Sequence, residues 1–305
     1  MKTIHLGKSD LQASNVALGC MRIAELREEA LEELLFTALE LGVDFFDHAD
    51  IYGQGSCEEK FGAVLAKHHD LRSKIKLQTK CGIRKGFFDF SREHILKSVD
   101  QSLLKLQTDY LDVLLLHRPD TLMEPEEVAD AFSILHSSGK VRYFGMSNQN
   151  AMQLQLLQKF LPFKIIVNQL QFGPAHTLMI DTGLNVNIRS TAGTMYTDGV
   201  LEYCRMNDIT IQTWSPFLYG FFEGNFLTDA KYTVLRDTLR AIGARHGLDV
   251  SGAAVAWIAR HPAEIQTIVG TTNPEHLRAA CAGSDIRLSR EEWYEIYRSA
   301  GNRLP

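Results

Sequence analysis

Along the chain, short apolar runs rich in Val, Ile and Leu alternate with longer stretches whose apolar positions recur every three or four residues, from about residue 16 to residue 281. The first kind suits buried strands, and the second suits helices that bury one face. Strands are expected at residues 16–20, 43–47, 75–80, 111–117, 141–147, 165–169, 210–214 and 265–269. Helices are expected between them, for example at 27–41, 57–68, 92–106, 126–138 and 150–159. Ser91 is placed to cap the helix after it, and Gly42 and Gly139 to end the helices before them. Eight strand-and-helix units predict an α/β fold of the (β/α)8 TIM-barrel type. No Pro-, Gly- or Ser-rich linker interrupts the count, so residues 1–305 are read as a single barrel domain. Two short extended pieces, 3–6 and 11–14, predict an N-terminal hairpin that caps the barrel bottom. Helical stretches at 231–246 and 251–261 both precede the eighth strand, so one of them is extra to the repeat.

Parallel barrel strands present their C-terminal ends on one rim, which turns residues distant in sequence into neighbours. Asp47 closes the second predicted strand, Lys80 the third and His117 the fourth, while Tyr52 follows in the loop after Asp47. Taken singly, each has an ordinary structural reading, such as a turn-forming Asp or a solvated Lys. Their common position is what marks a candidate active site. The same rim carries Cys20 or Met21, Ser147 with Asn148, Gln169, Trp214, and Gly270 with Thr271. Two long segments, 173–199 and 215–229, follow strand ends and are expected to overhang it.

The composition narrows the partner. The chain of 305 residues carries a net charge of −5, and its Lys and Arg residues are scattered rather than interleaved with aromatics. That pattern argues against nucleic acid and for a small molecule. The segment MKTIHLGKSD lacks a secretory apolar core, and no apolar run approaches a membrane span, so a soluble cytoplasmic protein without a membrane partner is expected. Five widely spaced cysteines without a CxxC pair read as reduced thiols, not as a metal or disulfide framework. Nothing in the chain specifies an oligomeric state.

The segments DHADIYG (47–53), TKCG (79–82), LLLHRPD (114–120), GMSN (145–148), NQLQF (168–172) and WSPF (214–217) resemble the aldo-keto reductases, in this order and over essentially the whole chain. They are also similar to a group of bacterial oxidoreductases. The resemblance implies reversible hydride transfer between a reduced nicotinamide and an aldehyde or ketone, with Tyr52 as general acid, Lys80 and Asp47 as its supporting pair, and His117 orienting the carbonyl. It further implies that Ser147, Asn148 and Gln169 hold the carboxamide of the nicotinamide and that Trp214 stacks on its ring. By the same resemblance, Ser215 and Phe217, with Tyr219, lie in a loop expected to fold over the pyrophosphate. No metal is required.

A free phenol titrates at about 10, too high for an efficient acid near neutral pH, and an ammonium close to Tyr52 is expected to lower that value. At the other end of the cofactor, Gly270, Thr271, Thr272, Asn273 and His276 occupy the strand-to-helix turn where relatives hold the adenosine 2′-phosphate. Relatives commonly place Lys or Arg there, whereas this chain has Gly270, Thr272 and His276, with Ala280 in place of an Asn. NADPH is the expected cofactor, with NADH use left open and Arg278 a candidate compensating charge. Substrate recognition is less legible: Met21, Phe87, Phe88, Phe217, Tyr219, Phe221 and Phe222 are candidates for an apolar pocket, and Arg118 is a candidate to receive a carboxylate, although Asp120 is its expected ion-pair partner. Two other readings stand beside the reductase: an aldolase that forms a Schiff base on Lys80, and a cofactor-binding regulatory subunit without catalysis.

Overall fold

In the computed structural model, which describes residues 1–186 and 199–304, eight parallel strands close into a barrel. They are β1 (Val16–Gly19), β2 (Phe45–Asp47), β3 (Lys76–Cys81), β4 (Leu111–Leu116), β5 (Val141–Ser147), β6 (Ile165–Gln171), β7 (Thr210–Trp214) and β8 (Gln266–Val269). Each strand pairs with the next in sequence, and β8 pairs with β1 to close the ring. The expected (β/α)8 architecture is therefore present. Segment 173–199 contributes a short helix, Leu178–Leu184, and its residues 187–198 lie outside the described residues.

Local chemistry sets the element ends. The Ser91 hydroxyl accepts from the His94 backbone N–H and starts the helix Arg92–Leu106. Gly42 and Gly139 adopt φ +81° and +73° just past the helices Glu28–Glu40 and Pro125–Ser137, the left-handed turn that ends a helix cheaply only at glycine. Of the two helices expected before β8, Thr233–Arg245 packs against both its successor Val250–Ala259 and the C-terminal helix Arg290–Ser299, which makes it the extra one.

Strand alternation divides the core in two. Outward residues such as Phe46, Leu77, Leu114 and Leu116 meet the surrounding helices in the larger apolar cluster. Inward residues Ala17, Phe45, Val113, Leu115, Val167 and Ile268 form a smaller cluster with Ile4, Leu6, Leu11 and Ala13. Those last four come from the N-terminal hairpin, Thr3–His5 paired with Gln12–Ser14, which thus plugs the bottom of the barrel. Above this plug the interior turns polar. Gln78, Gln212 and Gln266 are fully buried on β3, β7 and β8, with Gln169 of β6 nearly so.

Candidate active site

The period of two along a strand places Asp47, Lys80 and His117 on inward-facing positions at the rim, two residues above Phe45, Gln78 and Leu115. Register then brings them together, since Asp47 lies opposite Gln78 and Lys80 opposite Leu115. Tyr52 arrives from the loop after β2, at the start of a tight turn in which Gly53, Gln54 and Gly55 all have positive φ. A Cβ on Gly53 would stand 2.9 Å from the Ala24 Cβ, so this turn accepts only glycine there.

Lys80 is fully buried and spends its three N–H donors on three acceptors: Asp47 Oδ2 at 2.7 Å, the His48 carbonyl at 2.8 Å and Tyr52 Oη at 3.0 Å. Burial, the largest single influence, works against the ammonium, yet Asp47 and Tyr52 outweigh it and the net shift of its pKa is upward. Asp47 is held from three sides, because Gln78 and Gln169 also donate to its Oδ1, at 2.6 and 3.0 Å.

Tyr52 differs from the sequence expectation. Its pKa is raised, because burial of the phenolate outweighs the pull of Lys80, whose charge is already partly answered by Asp47. Lys80 acts in the expected direction but does not decide the sum. His117 meets Tyr52 edge to face with ring centroids 5.9 Å apart. Desolvation, reinforced by Lys80 and Arg118, holds its pKa well below 6.5, so the imidazole is neutral. Among the described residues its Nδ1 is buried without a partner, which leaves Nε2 as the nitrogen facing the cavity. A buried lone pair costs less than a buried, unpaired N–H, so the tautomer with the proton on Nε2 is favoured.

A cavity of about 720 Å³ opens above these groups and runs across the rim. It is lined by Tyr52 and His117 at one place, by Ser147, Asn148, Gln169 and Trp214 at another, and by Gly270, Thr271, Thr272, Asn273 and His276 at a third. Ser215 and Phe217 also line it, whereas Tyr219 is turned to Asp229 and Tyr232. Asn148 and Ser215 hold φ +60° and +49°, conformations that cost a side-chain-bearing residue energy and are met typically at functional sites. Trp214 Nε1 donates to Asn148 Oδ1 at 3.1 Å, and Asn148 Nδ2 donates to Ser147 Oγ at 2.7 Å. The loop 215–229 is anchored by the contact of Gly173 with Pro216, where a Cβ on Gly173 would lie 2.2 Å from the Pro216 carbonyl oxygen.

Several sequence-based readings change. Arg278 does not line the cavity and stands near Glu40 and Glu275, at 3.5 and 3.4 Å. Arg118 makes no ion pair with Asp120, whose carboxylate instead accepts the backbone N–H groups of Phe90 and Leu122. Phe87 and Phe88 form their own small hairpin with Ile83 and Arg84 and stay outside the cavity lining. Met21, Phe217, Phe221 and Phe222 do line it. His48 is fully buried against Phe61, and burial brings its pKa down to about 3.

Gln78, Gln212 and Gln266, beneath the rim, are not among the sequence-based candidates, whereas Gln169 is. Gln78 and Gln169 both donate to Gln212 Oε1, at 2.8 and 3.0 Å. Gln212 Nε2 donates back to Gln78 Oε1 at 3.1 Å and on to Gln266 Oε1 at 2.8 Å, and Gln266 Nε2 reaches the Ser14 carbonyl at 2.7 Å. Their signal is a polar residue at the inward position of an apolar strand, two places before Lys80 and Trp214.

Among the described residues no helix is long and apolar enough to cross a membrane, and no group of three His, Cys, Asp or Glu side chains is placed to hold a metal. The family model described as the aldo/keto reductase family matches residues 15–300. The chain is 38% identical to an uncharacterized oxidoreductase, YcsN, of Bacillus subtilis, covering 97% of each chain. It is 35% identical to the oxidoreductase YdhF of Escherichia coli, over 94% of this chain and 93% of that one. A 6-dehydroglucose reductase of Agrobacterium fabrum is 32% identical over 94% of both. The fold is similar to that of a thermostable aldo-keto reductase, Tm1743, solved with the inhibitor epalrestat, with a TM-score of 0.78 at 24% identity over 98% of this chain and 100% of that one.

Proposed function

Because the chain belongs to the aldo/keto reductase family, we propose that it reduces aldehyde or ketone carbonyls to alcohols with NADPH, using Tyr52 as the general acid. The observation that carries this reading is the position of Lys80, fully buried and hydrogen-bonded at once to Asp47 and Tyr52 below an open cavity.

The donor set fits a nicotinamide dinucleotide. Gln169 uses its amide N–H groups on Asp47 and Gln212, which leaves its Oε1 to accept from a carboxamide. Asn148 Nδ2 reaches the His117 carbonyl only at 3.3 Å, a weak bond that is cheaply exchanged for one to a ligand oxygen. Ser147 completes this group, and Trp214 offers an indole ring for stacking. Ser215 and Phe217 line the same cavity and would hold the pyrophosphate. Gly270, Thr271, Thr272, Asn273 and His276 surround the N-terminus of the helix Pro274–Ala282, which favours a phosphate. When bound, the reduced nicotinamide supplies the hydride.

The chain's own residues manage the proton. The Tyr52 hydroxyl gives its proton to the carbonyl oxygen while Lys80, 3.0 Å away, stabilises the charge that develops on the phenolic oxygen. The raised pKa keeps Tyr52 protonated at neutral pH, and Lys80 limits what that protonation costs when the proton must leave. Asp47 fixes Lys80 in direction. His117, neutral and donating through Nε2, orients the carbonyl oxygen and stabilises its growing negative charge. Lys80 itself has no N–H to spare and a raised pKa, both unfavourable to an amine nucleophile, so the Schiff-base reading loses its ground.

Fluorescence titration with NADPH and NADH, followed by cofactor oxidation against aldehydes, quinones, dicarbonyls and ketosugars, tests the proposal. The sugar arm includes 6-dehydroglucose, after the names of two relatives. Tight cofactor binding with no oxidation by any member of the panel would favour the regulatory reading instead.

A further inference from the structure

Arg118 follows His117 at the rim and lines the cavity beside Tyr52. Its guanidinium carbon lies 5.4 Å from the ring centre of Trp214 and 5.0 Å from that of Phe221. The side chain is half-buried, and burial lowers its pKa, yet among the described residues it has neither a salt bridge nor a hydrogen-bond acceptor. Asp120, the nearest carboxylate in sequence, is engaged by two backbone N–H groups. Among the described residues the only carboxylate in the cavity lining is Asp47, which is neutralised by Lys80. Arg22 lines the same cavity and is likewise without an ion pair among the described residues.

A cation taken partly out of water and given no counter-charge is held at a cost, and an incoming anion recovers it. Aromatic rings satisfy only the faces of a guanidinium. Its N–H edge stays free in the fork geometry that suits two oxygens of a carboxylate or phosphate. We propose that this edge is a substrate-specificity site, so that the preferred carbonyl substrate carries an anionic oxyacid group, a carboxylate or a phosphate, which Arg118 receives while Tyr52 and His117 engage the carbonyl oxygen. The proposal rests on the reductase reading of the same cavity and adds the class of substrate to it.

Two matched pairs test it: 4-carboxybenzaldehyde against 4-methylbenzaldehyde, and glyceraldehyde 3-phosphate against glyceraldehyde. The wild-type protein should prefer the anionic member of at least one pair by about tenfold or more in kcat/KM, and Arg118→Gln should reduce that preference by roughly tenfold to a hundredfold. Arg118→Lys, which keeps the charge and loses the fork, should fall between them. The pair that responds identifies the oxyacid. A second arm needs no turnover: benzoate binding to the protein with NADP+ is measured calorimetrically, and Arg118→Gln should weaken it by a similar factor while leaving NADPH affinity within about threefold. Equal kcat/KM within both pairs, or a preference that survives Arg118→Gln, overturns the proposal. So does a loss of NADPH affinity matching the loss for benzoate, which would assign the cation to the cofactor. If no carbonyl is reduced at all, the reductase reading fails, and the benzoate arm still decides whether Arg118 binds an anion.

Discussion

Gln78 and Gln212 stand on strands opposite each other in the barrel, yet their side-chain amides exchange two hydrogen bonds, at 2.8 and 3.1 Å, across its axis. Because Asp47 accepts and cannot donate, it orients both Gln78 and Gln169 with their N–H groups toward it, and every amide further down takes its direction from that choice. Replacing Gln212 with Leu removes one member and strands the oxygens of Gln78 and Gln266 and one amide N–H each of Gln78 and Gln169. The expected loss is about 4 kcal/mol of stability or more, from four buried groups left without a partner, read by urea unfolding. The pH profile of turnover should shift as well, because Asp47 loses an aligned support. An unchanged profile in a destabilised variant would reduce the network to scaffolding.

Tyr52 and Lys80 make a second prediction. With its pKa raised above the usual 10, Tyr52 in the free protein stays protonated through neutral pH and ionises only above pH 10. Ultraviolet difference titration of wild type against Tyr52→Phe should show no extra tyrosinate below that point. Lys80→Met removes the one strong downward influence and should push the ionisation higher still. Both substitutions should cut turnover by about a hundredfold to ten-thousandfold, the range expected for a lost proton donor, with NADPH affinity little changed by Tyr52→Phe.

The adenosine end gives a third. Among the described residues, His276 is the only basic side chain at that end of the cavity lining. Installing Arg there supplies a charge-assisted bond to a 2′-phosphate, so His276→Arg should raise the preference for NADPH over NADH by about tenfold to a hundredfold in dissociation constant. No change in that ratio would place the 2′-phosphate elsewhere.

Behind the site, Asp50 is half-buried near Glu58, and its pKa rises to about 7. Burial is the main cause, with Glu58 adding to it and Lys105 and Lys80 opposing. A carboxyl whose folded pKa exceeds its unfolded value binds its proton more tightly when folded. Its contribution therefore favours folding at low pH and is lost as pH rises from near 3.8 to about 7. Asp50→Asn should remove this dependence and raise stability on the order of 2 to 4 kcal/mol above that window, with little effect below it. Unfolding midpoints at about pH 3.5, just below the window, and at about pH 8 provide the check.

Periodicity alone located the strands that fill the barrel wall. Val141–Ser147, Thr210–Trp214 and the helix Arg92–Leu106 fall where the pattern puts them. The second strand is shorter than its apolar run because the Val43 N–H is spent on the Ala38 carbonyl at the end of the preceding helix, and the Asp44 carboxylate on the Ser14 N–H. The sixth is longer, since Leu170 and Gln171 continue the ladder opposite Thr213 and Trp214. Asp47, Lys80 and His117 were legible because a strand end and a polar residue coincide. Gln78, Gln212 and Gln266 were not, since a polar residue within an apolar run is ordinarily taken to face water and here faces an enclosed axis. The Arg118–Asp120 pairing fails for a similar reason: proximity in sequence says nothing about backbone N–H groups that bind that carboxylate first.

The reacting groups on the strands owe their positions to register, and the walls of the cavity owe theirs to loops. Inserting one residue into β2, β3 or β4 would turn Asp47, Lys80 or His117 out of the barrel, whereas length changes between Pro216 and Asp229 leave all three in place. Selection for new substrates can therefore work on the loop that carries Phe221 and Phe222 while the proton chemistry is inherited unchanged. A library confined to that loop should yield altered carbonyl preferences far more often than inactive proteins.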